Sequence, residues 1–276
     1  MRQSAIFVSI VLSALPAFAL DEKPMLAQGG MEFGFRFGGD ATYQLFDGSW
    51  STADAATPGV PLAWSSEATF KYGMSDRSDL EIVLPWVYRD KDYATLEGRA
   101  DGYGGFDRAH LAAKIRLTKT VESGLAFGFS FPLGHEKVVG FNPEWGFTLG
   151  TYGGYRKGIW SADALATWST TPKSSSGFQP GDVTLLSART GVQLDEGVAP
   201  NFGLSYSLVD KSVLGKSTGI PLTGKVAVSK IVATPGCVLL LDEEWSLDVR
   251  VPVVVAGANT HAAAGLSVGI VGYFEP

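Results

Sequence analysis

The sequence predicts an all-β chain folded as a single closed, antiparallel transmembrane β-barrel of about twelve strands. Three observations carry that prediction. Apolar residues recur with period two through most of the chain, and no stretch holds an i, i+3, i+4, i+7 pattern over three turns. The alternating segments are each close to the roughly 9–11 residues that a tilted strand needs to cross a bilayer. Finally, long and short connections alternate along the first nine segments, as they do where one end of a barrel carries loops and the other carries tight turns.

The segments fall at approximately 31–39, 62–73, 79–89, 106–118, 123–132, 144–156, 159–170, 181–194, 198–209, 220–232, 243–255 and 262–274. The first reads Met31, Phe33, Phe35 and Phe37 against Glu32, Gly34, Arg36 and Gly38. In the fourth, Ala109, Leu111, Ile115 and Leu117 oppose Arg108, His110, Lys114 and Arg116. In the seventh, Trp160, Ala162, Ala164, Ala166 and Trp168 face away from Ser161 and Asp163. The tenth and eleventh are the weakest in pattern, because Thr234-Pro235-Gly236-Cys237-Val238-Leu239 reads equally as strand or turn. The connections Gly39–Pro61, Asp90–Gly105, Pro132–Pro143 and Thr171–Pro180 are long or of medium length. Met74–Ser78, Lys119–Glu122, Lys157-Gly158 and Asp195–Gly197 are short.

Lys71 to Trp86 illustrates the reading. It is one hairpin turning at Ser75–Ser78, with Tyr72, Leu80, Ile82, Leu84 and Trp86 toward lipid and Lys71 and Glu81 toward the lumen. Pro85 cannot donate to a ladder and marks a bulge or the end of pairing. Closure follows because lipid offers no partner to an open strand edge. Tryptophans 64, 86, 145, 160, 168 and 245, with Tyr88, lie toward segment ends, where interfacial girdles sit.

Composition agrees with an exported β-protein. The chain has 34 Gly, 12% aromatic residues and only 18% charged residues, against about 25% charged in ordinary soluble domains. Met1-Arg2-Gln3-Ser4, an apolar run to Leu15 and Ala17-Phe18-Ala19 read as a signal peptide over 1–19, leaving 20–276 as the barrel. The net charge of −6 and the lack of a basic patch exclude a nucleic-acid partner. Cys237 is the single cysteine and can form no internal disulfide.

Tyr72-Gly73-Met74-Ser75-Asp76-Arg77-Ser78-Asp79-Leu80-Glu81-Ile82, followed by Leu84-Pro85, resembles the hairpin of bacterial outer-membrane barrels of the meta-pathway of phenol degradation. Gly104-Gly105-Phe106-Asp107 is similar to that family's G-x-G-D before the next strand, with Phe106 as a departure. The similarity is sharp over 62–118 and diffuse beyond. It implies a barrel and a transporter of hydrophobic or aromatic compounds. Many barrels end on an aromatic that barrel-insertion machinery reads; Gly272-Tyr273-Phe274-Glu275-Pro276 runs two residues past its aromatic, a departure from that pattern.

Alternate residues turned inward give a lumen containing Glu32, Arg36, Glu67, Lys71, Glu81, Arg108, His110, Lys114, Arg116, Asp163, Arg189, Asp248 and Arg250. Ten of these are the candidate solute path: Glu67, Lys71, Glu81, Arg108, His110, Lys114, Arg116, Arg189, Asp248 and Arg250. The same set also fits a plugged interior of paired charges. The function expected is passive or loop-gated uptake of small organic solutes, with the lipid bilayer and the solute as partners. No enzyme activity and no cofactor are implied, since neither metal-ligand spacing nor a nucleotide loop occurs. Two alternatives remain at this level. One is a soluble periplasmic or secreted β-protein with an apolar ligand inside. The other is an outer-membrane lipid hydrolase, for which His110, His135 and His261 are the histidines to place.

Overall fold

The computed structural model describes residues 25–46, 48–54, 62–91, 101–118, 122–134, 144–174, 179–194, 197–211 and 227–275. The expected leader at 1–19 lies outside them, as does His135. Fifteen strands occur among the described residues: β1 (Met31–Phe46), β2 (Thr52–Asp54), β3 (Leu62–Ser75), β4 (Ser78–Arg89), β5 (Tyr103–Phe106), β6 (Arg108–Thr118), β7 (Glu122–Pro132), β8 (Gly146–Lys157), β9 (Trp160–Thr170), β10 (Val183–Val192), β11 (Val198–Val209), β12 (Val228–Leu240), β13 (Trp245–Arg250), β14 (Val253–Ala258) and β15 (Thr260–Phe274). Consecutive strands pair antiparallel around the wall, and β1 pairs with both β3 and β15, so no edge is left open. β5 and β6 are one wall strand interrupted at Asp107, and β13 and β14 are one interrupted at Val251-Pro252. β2 is a short addition to β1. The wall is therefore a closed barrel of twelve strands, as the alternation predicts.

Two prolines mark the interruptions. The Asp107 amide donates to the Pro85 carbonyl at 3.0 Å, and the Val251 amide donates to the Pro235 carbonyl at 2.9 Å. In an antiparallel ladder a residue's N–H and C=O point to the same neighbour. The donor that each proline lacks thus faces the strand that is already broken.

This settles the tenth element. The strand expected at 220–232 runs on to Leu240, and the segment Thr234–Leu239, legible as strand or turn, is strand, with the turn at Leu241–Glu244. The Asp242 carboxylate closes that turn, accepting from the Glu244 and Trp245 amides at 2.8 and 2.7 Å. Gly236 is a close-approach residue within the strand, since a Cβ there would meet the Val249 carbonyl oxygen at 2.8 Å. The first strand is also longer than expected. It passes through Gly38-Gly39-Asp40 and ends at Phe46.

The orientation is inside-out relative to a soluble sheet protein. Phe35, Leu125 and Leu266 are 53, 51 and 54% exposed, whereas Lys71 and Lys114 are 1% exposed. Leu84, Phe129, Leu149, Leu186 and Leu204 continue the apolar outer belt. Exposed aromatics mark both rims: Trp64, Tyr88, Trp145 and Trp168 at one, Tyr72, Tyr155 and Trp160 at the other. The second rim carries the tight turns and the end of β15, and corresponds to the periplasmic side. Among the described residues no helix is long and apolar enough to cross a membrane. The crossing is made by strands.

Candidate functional site

The interior is divided lengthwise. On one side, inward positions of β4 and β6–β9 carry Val83, Ala112, Ala126, Tyr152 and Leu165, and Met25 packs among them as one buried cluster. Met25 belongs to a strap, residues 25–30, that enters the lumen ahead of β1. The Met25 amide donates to Glu122 Oε1 at 2.6 Å, and the Tyr152 hydroxyl donates to the Met25 thioether at 2.8 Å. Asp79 accepts the Leu26 amide. Gly29 N–H donates to the Gly73 carbonyl at 2.8 Å, and Gly73 N–H donates to the Gly30 carbonyl at 2.9 Å. Gly73 permits this approach, because a Cβ there would overlap the Ala27 carbonyl. Gly29 itself takes φ 83°, which glycine adopts without penalty.

On the other side, inward positions are small: Gly34 and Gly38 on β1, Ser187 on β10, Gly203, Ser205 and Ser207 on β11, Ser267 and Gly269 on β15. Their lack of side-chain volume leaves a cavity of about 320 Å³. Glu32, Arg36, Asp40, Glu67, Glu81, Arg189, Lys230 and Arg250 reach it, together with Val83, Val87 and Leu165.

The ten path residues expected from the sequence separate accordingly. Glu67, Glu81, Arg189 and Arg250 line the cavity. Asp248 stands behind the arginines at 3% exposure; its Oδ2 accepts Arg36 Nη2 at 3.0 Å and also pairs with Arg250 Nη2. Lys71 and Lys114 are buried beside Asp79, with the Lys114 ammonium 5.5 Å from the Tyr152 ring centre. Arg116 pairs with Glu122 at 3.3 Å, next to the strap. Arg108 lies toward the outer rim, donating to Ser130 Oγ at 3.4 Å and to the Glu144 carbonyl. His110 is buried on the same strand. The basic strip of β6 therefore belongs to the packed half of the interior, and the cavity draws its positive charge from β1, β10, β12 and β13.

Cross-strand register explains the pairing. Glu32, Lys71 and Glu81 are direct neighbours on β1, β3 and β4, and Arg36 stands opposite Glu67, with 3.9 Å between charged atoms. Opposite charges set directly across from each other stabilise a sheet. Asp40, Arg89, Lys230 and the strap are contributors that the sequence reading left out. Arg89 follows the inward period of β4, and Lys230 falls within the expected tenth segment, so both were legible. His110 and His261 are both buried, at 8 and 5% exposure, and do not form an outer-wall pair at the rim. Among the described residues no group of three or more His, Cys, Asp or Glu could hold a metal ion.

Comparison with family models finds no match, and no curated protein is significantly similar in sequence. The fold is similar to the COG4313 outer membrane channel from Pseudomonas putida F1, at TM-score 0.72 and 14% identity over 91% of this chain and 97% of that one. It is also similar to the NanC porin, at TM-score 0.51 and 6% identity over 87% of this chain and 98% of that one. With the apolar belt, the two aromatic rims and the closed twelve-strand wall, these likenesses place the chain in the fold of outer-membrane β-barrels.

Proposed function

We propose that this barrel is an outer-membrane channel that admits small organic solutes by passive passage. The observation that carries the reading is the cavity of about 320 Å³ inside the wall, lined by both charged and apolar side chains. A barrel serving only as a structural plug has no reason to leave glycine and serine at its inward positions on four strands. The soluble-binder alternative would need apolar faces inward, the reverse of the arrangement found. The likeness to the P. putida barrel, an outer membrane channel, supports the reading. The hairpin from Tyr72 to Pro85 supports the finer one, a barrel of the phenol meta-pathway type that takes aromatic or hydrophobic compounds. The solute path would run past Glu67, Glu81, Arg189 and Arg250, with Lys71, Lys114, Arg116, His110 and Arg108 setting the opposite, packed half.

The test is swelling of liposomes carrying the refolded protein, with neutral solutes of increasing size. Swelling that falls off with solute size is expected. A barrel that inserts, shown by heat-modifiable gel migration, yet gives neither swelling nor single-channel steps would refute the channel reading.

A further inference from the structure

The two halves of the lumen share a wall. Val83 and Leu165 line the cavity, and both also belong to the buried cluster in which Met25 sits. The other members, Ala112, Ala126 and Tyr152, stand on the wall strands β6, β7 and β8. The niche is thus built by the wall, and the strap supplies only its occupant. Alanine at 112 and 126 leaves the space that the Met25 side chain fills. Tyr152 is set in place by its cross-strand neighbour Gly124, where a Cβ would meet the Tyr152 hydroxyl and ring at 2.8 Å. The occupant is poorly matched to the polar groups around it. The Tyr152 hydroxyl donates at 2.8 Å to the Met25 thioether, a weak acceptor. Glu122 Oε1, at the edge of the niche, takes the Met25 amide at 2.6 Å.

We infer that the Met25 niche is a binding site for a small apolar molecule carrying one hydroxyl, masked by the strap, and that such a solute opens the packed half of the lumen by taking the place of Met25. The apolar body of the solute replaces the methionine side chain among Val83, Ala112, Ala126 and Leu165, and is driven there by the same removal of apolar surface from water. Its hydroxyl oxygen gives Tyr152 a stronger acceptor than sulfur, and its O–H gives Glu122 a donor in place of the departed amide. Entry follows the existing cavity, which abuts the niche along Val83 and Leu165. Strap and solute exclude each other. The apparent affinity for the solute is therefore reduced by the fraction of barrels with the strap docked, and bound solute weakens strap docking by the same factor.

This site deepens the channel reading and rests on it for passage, so the test reads strap displacement and binding apart from transport. The probes are benzyl alcohol and ethylbenzene, which have the same shape and differ by a hydroxyl in place of a methyl. In the refolded native protein, hydrogen peroxide oxidation of each methionine would be followed by mass spectrometry, with Met31 and Met74, 37 and 43% exposed, as internal references for the buried Met25. Benzyl alcohol should speed Met25 oxidation at least fivefold relative to Met31 and Met74, and ethylbenzene much less. In calorimetric titration, benzyl alcohol should bind about fivefold more weakly to Tyr152→Phe, the loss of one hydrogen bond, while ethylbenzene binding does not weaken. Gly73→Ala, which frees the strap, should bind benzyl alcohol more tightly than the native protein. Met25 oxidation unchanged at saturating benzyl alcohol, or benzyl alcohol binding indifferent to Tyr152→Phe, would overturn the site. If Gly73→Ala fails to fold, the oxidation of Met25 in the native protein decides. Liposome swelling separates the two claims. Passage of benzyl alcohol with Met25 still protected refutes the niche and leaves the channel standing. Displacement of Met25 without passage of any solute supports the niche and refutes the channel.

Discussion

Replacing Gly73 by alanine should release the strap from the lumen. The described part of the strap is six residues long, from Met25 to Gly30. Beside the weak Tyr152–thioether contact, its docking gains four hydrogen bonds, from Met25 to Glu122, from Leu26 to Asp79 and two with Gly73, at about 1 kcal/mol each. Burial of Met25 and Leu26, 8 and 7% exposed, adds about 1.5–3 kcal/mol each. The favourable side is therefore roughly 7–10 kcal/mol. Ordering six backbone residues costs about 6–12 kcal/mol. The two nearly cancel, so the docked state has little in reserve. An alanine Cβ at 73 would overlap the Ala27 carbonyl, and both Gly73 hydrogen bonds depend on that approach. Losing about 2 kcal/mol of hydrogen bonding plus the clash is enough to favour the undocked strap. The assay is single-channel conductance of the refolded protein in planar bilayers, with a chain lacking the strap as reference. Gly73→Ala should show larger steps than the native protein, approaching those of the reference. Native-sized steps in Gly73→Ala beside larger steps in the reference would refute the reasoning, because the strap would then tolerate the Cβ.

Three further outcomes are expected. Lys114→Met should cost about 3–5 kcal/mol in urea unfolding from lipid vesicles, because it leaves buried Asp79 short of one counter-charge. Leu125→Arg, in the outer apolar belt, should cost about 2–4 kcal/mol. Leu117→Arg, near the periplasmic end of β6, should cost less than about 1 kcal/mol in the same measurement. Pro85→Ala should change stability by less than about 1 kcal/mol, since the donor it restores faces the strand break at Asp107 and no existing bond is lost.

Much of the wall was legible because a barrel reads out one residue at a time: period two fixes the face, and lipid punishes the wrong face. Lys71, Glu81, Arg189 and Arg250 turn inward as that period requires. What stayed hidden had non-local causes. The end of the β12 strand stayed open because Pro235 and Gly236 suit a turn as well as a strand. Only the break at Val251-Pro252, opposite them in space, makes a proline harmless there. The division of the lumen was hidden as well. His110, Lys114 and Arg116 form a basic strip in one dimension, but nothing in their own segment says that a distant strap fills the space before them. The three arginines that share the cavity come from β1, β10 and β13, far apart in the chain.

The strap also sets an order of events. Met25 finds its partners 97 and 127 residues later, at Glu122 and Tyr152. Loop closure over such separations is slow, and contacts of this range form late in folding. The first residues of the barrel to emerge during export are therefore among the last to reach their place. Gly73 and Asp79, on β3 and β4, can hold the later part of the strap early, but the wall must be assembled through β8 before Met25 has its partners. Between those two moments the bore is wider than in the finished protein, so a newly inserted barrel should be transiently leaky and then tighten, with a lag that lengthens when Glu122 or Tyr152 is replaced.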